Sequence, residues 1–296
     1  MWVYPSPVTA DPSHTGVART VRTRSTVVDA VVLAAVPLVL VGVFRLPRDV
    51  RSSLVFEYTD PSLVTAFASA FVHFDRTHLL VNVGTYAVVV AVVFALAVTS
   101  GYRRQFYVVF FNFVLVLPAL LSYLNLSVVR SSVGFGFSGV VMAFAGYLPV
   151  ALAEYAETHF DIGPRTAVAP VLAFLSLALI AVLSVQSVIA ENTTVLLGIS
   201  GLVVATVLSA VLYAVSVSER QPDLTGKLTR AAEKTGYFEL GVVALVLVFG
   251  LPFVAFPADP RGASSAVNLY VHLLGYALGF LVTYVVSELG VRVGSA

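Results

Sequence analysis

Eight apolar stretches divide this chain, each close to the roughly 20 residues a helix needs to cross about 30 Å of hydrocarbon. They fall near 27–44, 78–99, 106–127, 137–153, 167–190, 195–217, 238–257 and 267–286. Composition agrees: 58% of the residues are hydrophobic and 11% charged, and the mean hydropathy of +0.94 lies well above that of soluble globular domains. The sequence therefore predicts an all-α polytopic membrane protein of about eight spans.

The first span follows "ARTVRTRSTVVDA", which carries Arg but no cleavage site, so it reads as an uncleaved span and not a signal peptide. Residues 1–26, rich in Pro, Ser and Thr near their start, read as a disordered N-terminus, 27–290 as the membrane domain and 291–296 as a tail. Segment 218–237 is the longest polar interruption and reads as a loop with one surface turn of helix. With the N-terminus inside, Lys and Arg divide 11 inside against 6 outside, which favours that orientation. Fifteen Arg against two Lys, with abundant Val and Ala, point to a GC-rich prokaryote and so to a prokaryotic cell membrane.

Cysteine is absent, which removes disulfides, thiolate nucleophiles and Cys-ligated metals together. The net charge of +1 and the lack of a long basic block argue against nucleic acid as a partner. Any chemistry falls to Ser, His, Asp, Glu, Asn or Tyr.

Polar side chains in hydrocarbon are costly and need a partner or a task. In "GFGFSGVVMAFAGY", residues 134–147, Ser138 opens the fourth span between glycines. His272 lies early in the eighth span, which by parity runs in the same direction, so the two can share one depth. A serine within hydrogen-bond reach of a histidine is a base-activated nucleophile suited to acyl transfer. In "HLLGYALG", Gly275 and Gly279 follow His272 at i+3 and i+7 on nearly one helix face, and Gly139, Ala143 and Gly146 form a matching stripe in the fourth span. Facing stripes of small residues let two helices approach closely. In "HFDRTHLLVN", His78 and Asn82 share a face at i and i+4 and can both donate toward one point, as a developing oxyanion requires. His73 lies about 140° around a straight helix from His78, so it precedes the helix or meets another partner.

Each feature has a plainer reading. G-x-S-G occurs twice, and Ser200 in "GISG" rivals Ser138 on topology; either motif can be a helix-packing face. His272, His78 and Asn82 can be ordinary interhelical hydrogen-bonding groups. A metal site from His73, His78 and His272 is disfavoured by the i+5 spacing of the first two on one straight helix. Asp29 and Glu239, at the starts of spans one and seven, read as structural groups near the interface and in reach of water.

Taken together, the residues resemble the rhomboid intramembrane serine proteases. The likeness runs through "SGVVMAFAGY", where Ser138, Gly139, Ala143, Gly146 and Tyr147 fall as in bacterial rhomboids, and Ser200 lacks this continuation. "HFDRTHLLVN" looks like the family's H-x4-H-x3-N pattern and "HLLGYALG" like its base-bearing helix, in all about 40 residues closely and a six-helix core loosely. The resemblance implies a rhomboid-like six-helix core with an extra helix pair, Ser138 as nucleophile and His272 as base, with no carboxylate and no cofactor or metal. It implies an oxyanion hole of His78, Asn82 and the Ser138 N–H, a tight loop at Gly136 and a supporting role for His73. Substrates would be transmembrane proteins within the bilayer, and the site would open toward the outer face.

This chain departs from the family in three ways. Three spans, not one, separate the serine and histidine helices; of these, 238–257 is favoured as the lateral gate, with "PADPRGASSA" as its cap loop. The family's Trp-Arg motif in the first outer loop is missing, Trp2 being the sole tryptophan. Met142 stands where many members place an aromatic ring against the histidine; a thioether can also contact imidazole. A catalytically inactive relative that binds client helices is the alternative. A transporter would want ionisable groups near the midplane, of which the spans offer few.

Overall fold

The computed structural model describes residues 16–127, 133–188, 193–257 and 268–293. A short helix α1 (Val17–Arg24) leads into the first span α2 (Val27–Phe44). The following loop carries α3 (Arg48–Ser52), strand β1 (Phe56–Glu57) and α4 (Leu63–Ala68). Then come α5 (Arg76–Thr99), α6 (Arg103–Leu115), α7 (Leu117–Leu124), strand β2 (Val133–Gly134) and α8 (Ser138–Phe160). The chain continues through α9 (Arg165–Val188), α10 (Thr193–Arg220), α11 (Leu224–Ala232), α12 (Tyr237–Ala255) and α13 (Leu269–Val293). Among the described residues seven helices are long and apolar enough to cross a membrane, and α6 with α7, bent by 49°, makes an eighth as a pair. The chain is thus an all-α polytopic membrane protein.

Four expectations about the helices change. The third span, read as continuous over 106–127, breaks at Val116, because Pro118 has no N–H to give and its ring collides with the preceding turn. The fourth runs to Phe160, seven residues past the expected 153, and stops where Asp161 turns left-handed at φ 56. Residues 17–24, expected to be unstructured, form α1, while residues 1–15 lie outside the described set. The polar segment 218–237 holds a full helix, α11, two turns and more in length.

The centre of the bundle is α8. It is the least hydropathic span, at 1.4 against 1.8 to 2.7 for the other six, yet 94% of its window is buried. The inversion has a simple cause: α8 faces protein on every side, where small and polar residues serve, whereas the outer helices must present apolar side chains to lipid. At its far end Glu154 is fully buried and accepts hydrogen bonds from Gln105 of α6 at 2.8 Å and Ser287 of α13 at 2.6 Å, tying three helices together. By contrast α10 leans mainly on α9 and leaves Leu197, Leu208 and Leu212 exposed.

Asp29 does not reach water as expected. It is 1% exposed and closes a capping box with Thr26, whose N–H it accepts at 2.6 Å. It also accepts from Arg103 of α6 at 2.8 Å and from the Tyr107 hydroxyl, which clamps α2 to α6. Asp29→Ala would strand Arg103 and Tyr107, and because the Arg103 side chain is 41% exposed the loss is moderated by water. The expected cost is about 2 kcal/mol, read as a lower midpoint in thermal unfolding in detergent.

Candidate active site

The loop before Ser138 is held from two directions. β2 pairs antiparallel with β1, Gly134 opposite Phe56, and the Gly136 N–H donates to the Ser69 carbonyl at 3.0 Å. Gly136 adopts φ +103, and a Cβ there would stand 2.9 Å from His78 Cε1. The backbone conformation requires glycine, and an added Cβ would also push the ring aside. Gly136→Ala should therefore lower stability by about 2 kcal/mol and displace the His78 ring. Gly101→Ala is the control, for Gly101 has φ +86 but open space around its Cβ direction and should cost the backbone strain alone.

Ser138 occupies the first position of α8, so its own N–H has no acceptor within the helix and points with the positive end of the helix dipole. The α8 and α13 helices lie against each other through their glycines. A Cβ on Gly275 would strike the Gly139 carbonyl, one on Gly279 the Ala143 carbonyl, and one on Gly146 the Tyr276 carbonyl. From the Gly139–Gly275 contact to the Ala143–Gly279 contact the numbers rise together, so the helices run parallel, and His272 comes to the same end as Ser138.

His272 is 7% exposed. Its Nδ1 lies 2.8 Å from the Ala255 carbonyl at the end of α12, and a carbonyl can only accept, so Nδ1 carries the proton and Nε2 keeps the lone pair. The Phe256 ring meets the imidazole edge to face at 6.0 Å. Met142 is buried in one cluster with Phe256 and Tyr276, so the aromatic contact missing at position 142 is made from the α12 side.

Asp75 caps α5 by accepting the His78 N–H at 2.8 Å, which places His73 before the helix. His73 is fully buried; its Nδ1 donates to the Phe71 carbonyl at 3.4 Å, and its Nε2 accepts from Asn82 Nδ2 at 2.9 Å. Burial, with the His78 ring beside it, holds His73 down at about 4, so it is neutral at pH 7 and free to accept. His73 thus orients Asn82, whose amide spends one N–H on it and keeps another. Among the described residues His78 Nδ1 is buried without a partner.

One cavity of about 250 Å³ brings Ser138, His272, His78, Asn82 and Met142 together, walled by α5 on one side and by Leu251, Val254 and Ala255 of α12 on the other. No hydrogen bond joins Ser138 to His272 among the described residues. Ser200 is exposed in α10, neither Gly198 nor Gly201 has a neighbour in its Cβ direction, and no hydrogen bond joins Ser200 to a described histidine. Of the expected cap loop "PADPRGASSA", all but Pro257 lies outside the described residues. The described His, Asp and Glu form no group of three able to hold a metal.

Sequence reading missed Asp75, Asn268, Ala255 and Phe256. Asp75 and Asn268 were legible as cap residues ahead of apolar helices: Asn268 Oδ1 accepts the Val271 N–H at 3.2 Å. Ala255 and Phe256 carry no local signal, because their roles depend on where the end of α12 meets α13.

Compared with protein-family models, curated proteins and solved structures, the chain matches none.

Proposed function

We propose that this chain is a rhomboid-like intramembrane serine endopeptidase that hydrolyses peptide bonds in or beside the transmembrane helices of other membrane proteins. The observation that carries the reading is the single cavity shared by Ser138, His272, His78 and Asn82.

In the proposed reaction His272 Nε2 takes the Ser138 hydroxyl proton while Nδ1–H holds the Ala255 carbonyl. The alkoxide attacks the scissile carbonyl, and the oxyanion receives hydrogen bonds from the Ser138 N–H, His78 and the second N–H of Asn82. His272 then protonates the leaving amine, and water entering the cavity repeats the sequence on the acyl-enzyme. A helical carbonyl is shielded by its own hydrogen bond, so substrates with Gly or Pro near the scissile bond unwind at lower cost. The gap between α5 and α12 is the proposed entry.

A second reading, a non-catalytic protein that holds client helices in this cavity, is favoured by one observation: Ser138 and His272 are not hydrogen-bonded. Such bonds are often long in unliganded enzymes and tighten in the reacting complex. Labelling of the purified chain with a fluorophosphonate, followed by peptide mapping, separates the two. An adduct on Ser138 supports the protease; an unlabelled chain in both detergent and lipid supports the binding protein.

A further inference from the structure

The α2 and α6 helices are clamped at one end by Asp29, Arg103 and Tyr107. The space between them is a groove of about 520 Å³, roofed by Leu54, Phe67 and Phe71 and lined almost wholly by apolar side chains. That volume lies within the range of ligand clefts, roughly 300 to 1,000 Å³. Along α2 the lining runs from Val31 to Val43, about 18 Å at 1.5 Å per residue, close to the roughly 15 Å of one leaflet's hydrocarbon.

The chain just past the Val43 end of this groove is rich in arginine. Arg45 closes α2 and Arg48 opens α3, both exposed, and Arg51 follows one turn later. The guanidinium groups of Arg48 and Arg51 both lie on the Phe74 ring, at 6.0 and 5.4 Å, and Arg51 also covers Phe44 at 5.0 Å. Asp49 is the one carboxylate in this segment, and none of the three arginines is in an ion pair among the described residues. Three arginines against one carboxylate, in the connection that follows the Val43 end of an apolar slot about one leaflet deep, are complementary to a molecule with one anionic head and a long hydrocarbon tail.

We propose that this groove is a binding site for one anionic phospholipid, its acyl chain between α2 and α6 and its phosphate on Arg45, Arg48 and Arg51. Arginine suits the phosphate because its planar fork pairs two oxygens at once. Arg51 links the site to the cavity of Ser138: its Nη1 donates to the His73 carbonyl at 2.5 Å, and His73 holds Asn82. The proposal depends on the membrane-spanning architecture and not on protease activity.

The test is native mass spectrometry of the full chain in detergent, titrated with phosphatidylglycerol or phosphatidylcholine bearing the same acyl chains. Phosphatidylglycerol should be retained as one tight adduct, at least about tenfold more strongly than phosphatidylcholine. The R45Q/R48Q variant, altered at two exposed positions, should bring the two lipids level, while R104Q, an exposed arginine at the clamped end, should leave retention unchanged. Ala35→Phe fills the groove and should reduce retention of both lipids; its folding is checked by the unfolding midpoint. Equal retention of the two lipids by the native chain, or a loss with R104Q as large as with R45Q/R48Q, would overturn the proposal.

Discussion

Ser138→Ala and His272→Ala are each expected to lower cleavage of a transmembrane model substrate in proteoliposomes by at least about 10³-fold, and the double variant should be no worse than either. The non-additivity follows from the proposed division of labour. A serine without a base is an alcohol of ordinary reactivity, and a base without the serine has nothing to activate. Ser200→Ala should leave the rate unchanged, since Ser200 is exposed on α10 away from the cavity. Asn82→Ala should cost about 10²-fold, the usual price of one oxyanion donor. His73→Ala should follow Asn82→Ala in direction, because His73 touches Asn82 and does not line the cavity. If Ser138→Ala cleaved as fast as the native chain, the nucleophile assignment would fall, whatever the other variants did.

The parts of this molecule that were legible in its sequence are those set by local chemistry. Span positions follow from apolar run length, and the starts of α2, α5, α12 and α13 fall within two residues of expectation. The break at Val116 was written in Pro118, yet hydropathy alone runs straight through it. The extent of α8 was obscured because "EYAETHF" looks like a loop when all spans are assumed to face lipid. In the structure Glu154 and Tyr155 are buried by neighbouring helices instead. The same blindness hid Asp29, whose partners Arg103 and Tyr107 lie more than 70 positions away. In the site, spacing along one helix put His78 and Asn82 on one face, but the bond from Asn82 to His73 depends on the loop bending back at Asp75. Likewise the orientation of His272 rests on the end of α12, which its own helix cannot reveal.

Gly279→Val and Gly275→Val should be the most damaging single substitutions outside the cavity, each lowering stability by about 3 kcal/mol or more and removing fluorophosphonate labelling. A side chain at either position meets backbone, the Ala143 or the Gly139 carbonyl, and backbone has no rotamer by which to yield. The α13 helix must then move away from α8. Because Gly275 is one turn beyond His272, any displacement large enough to admit an isopropyl group carries the imidazole away from Ser138. Gly198→Val and Gly201→Val supply the comparison, since they alter the other G-x-S-G helix at positions with nothing within 4 Å. They should shift the unfolding midpoint little and leave labelling intact. A uniform loss across all four variants would mean that glycine in these helices serves insertion or helix flexibility in general. Loss confined to positions 275 and 279 would mean that close approach of α8 and α13 is what sets the distance between serine and histidine.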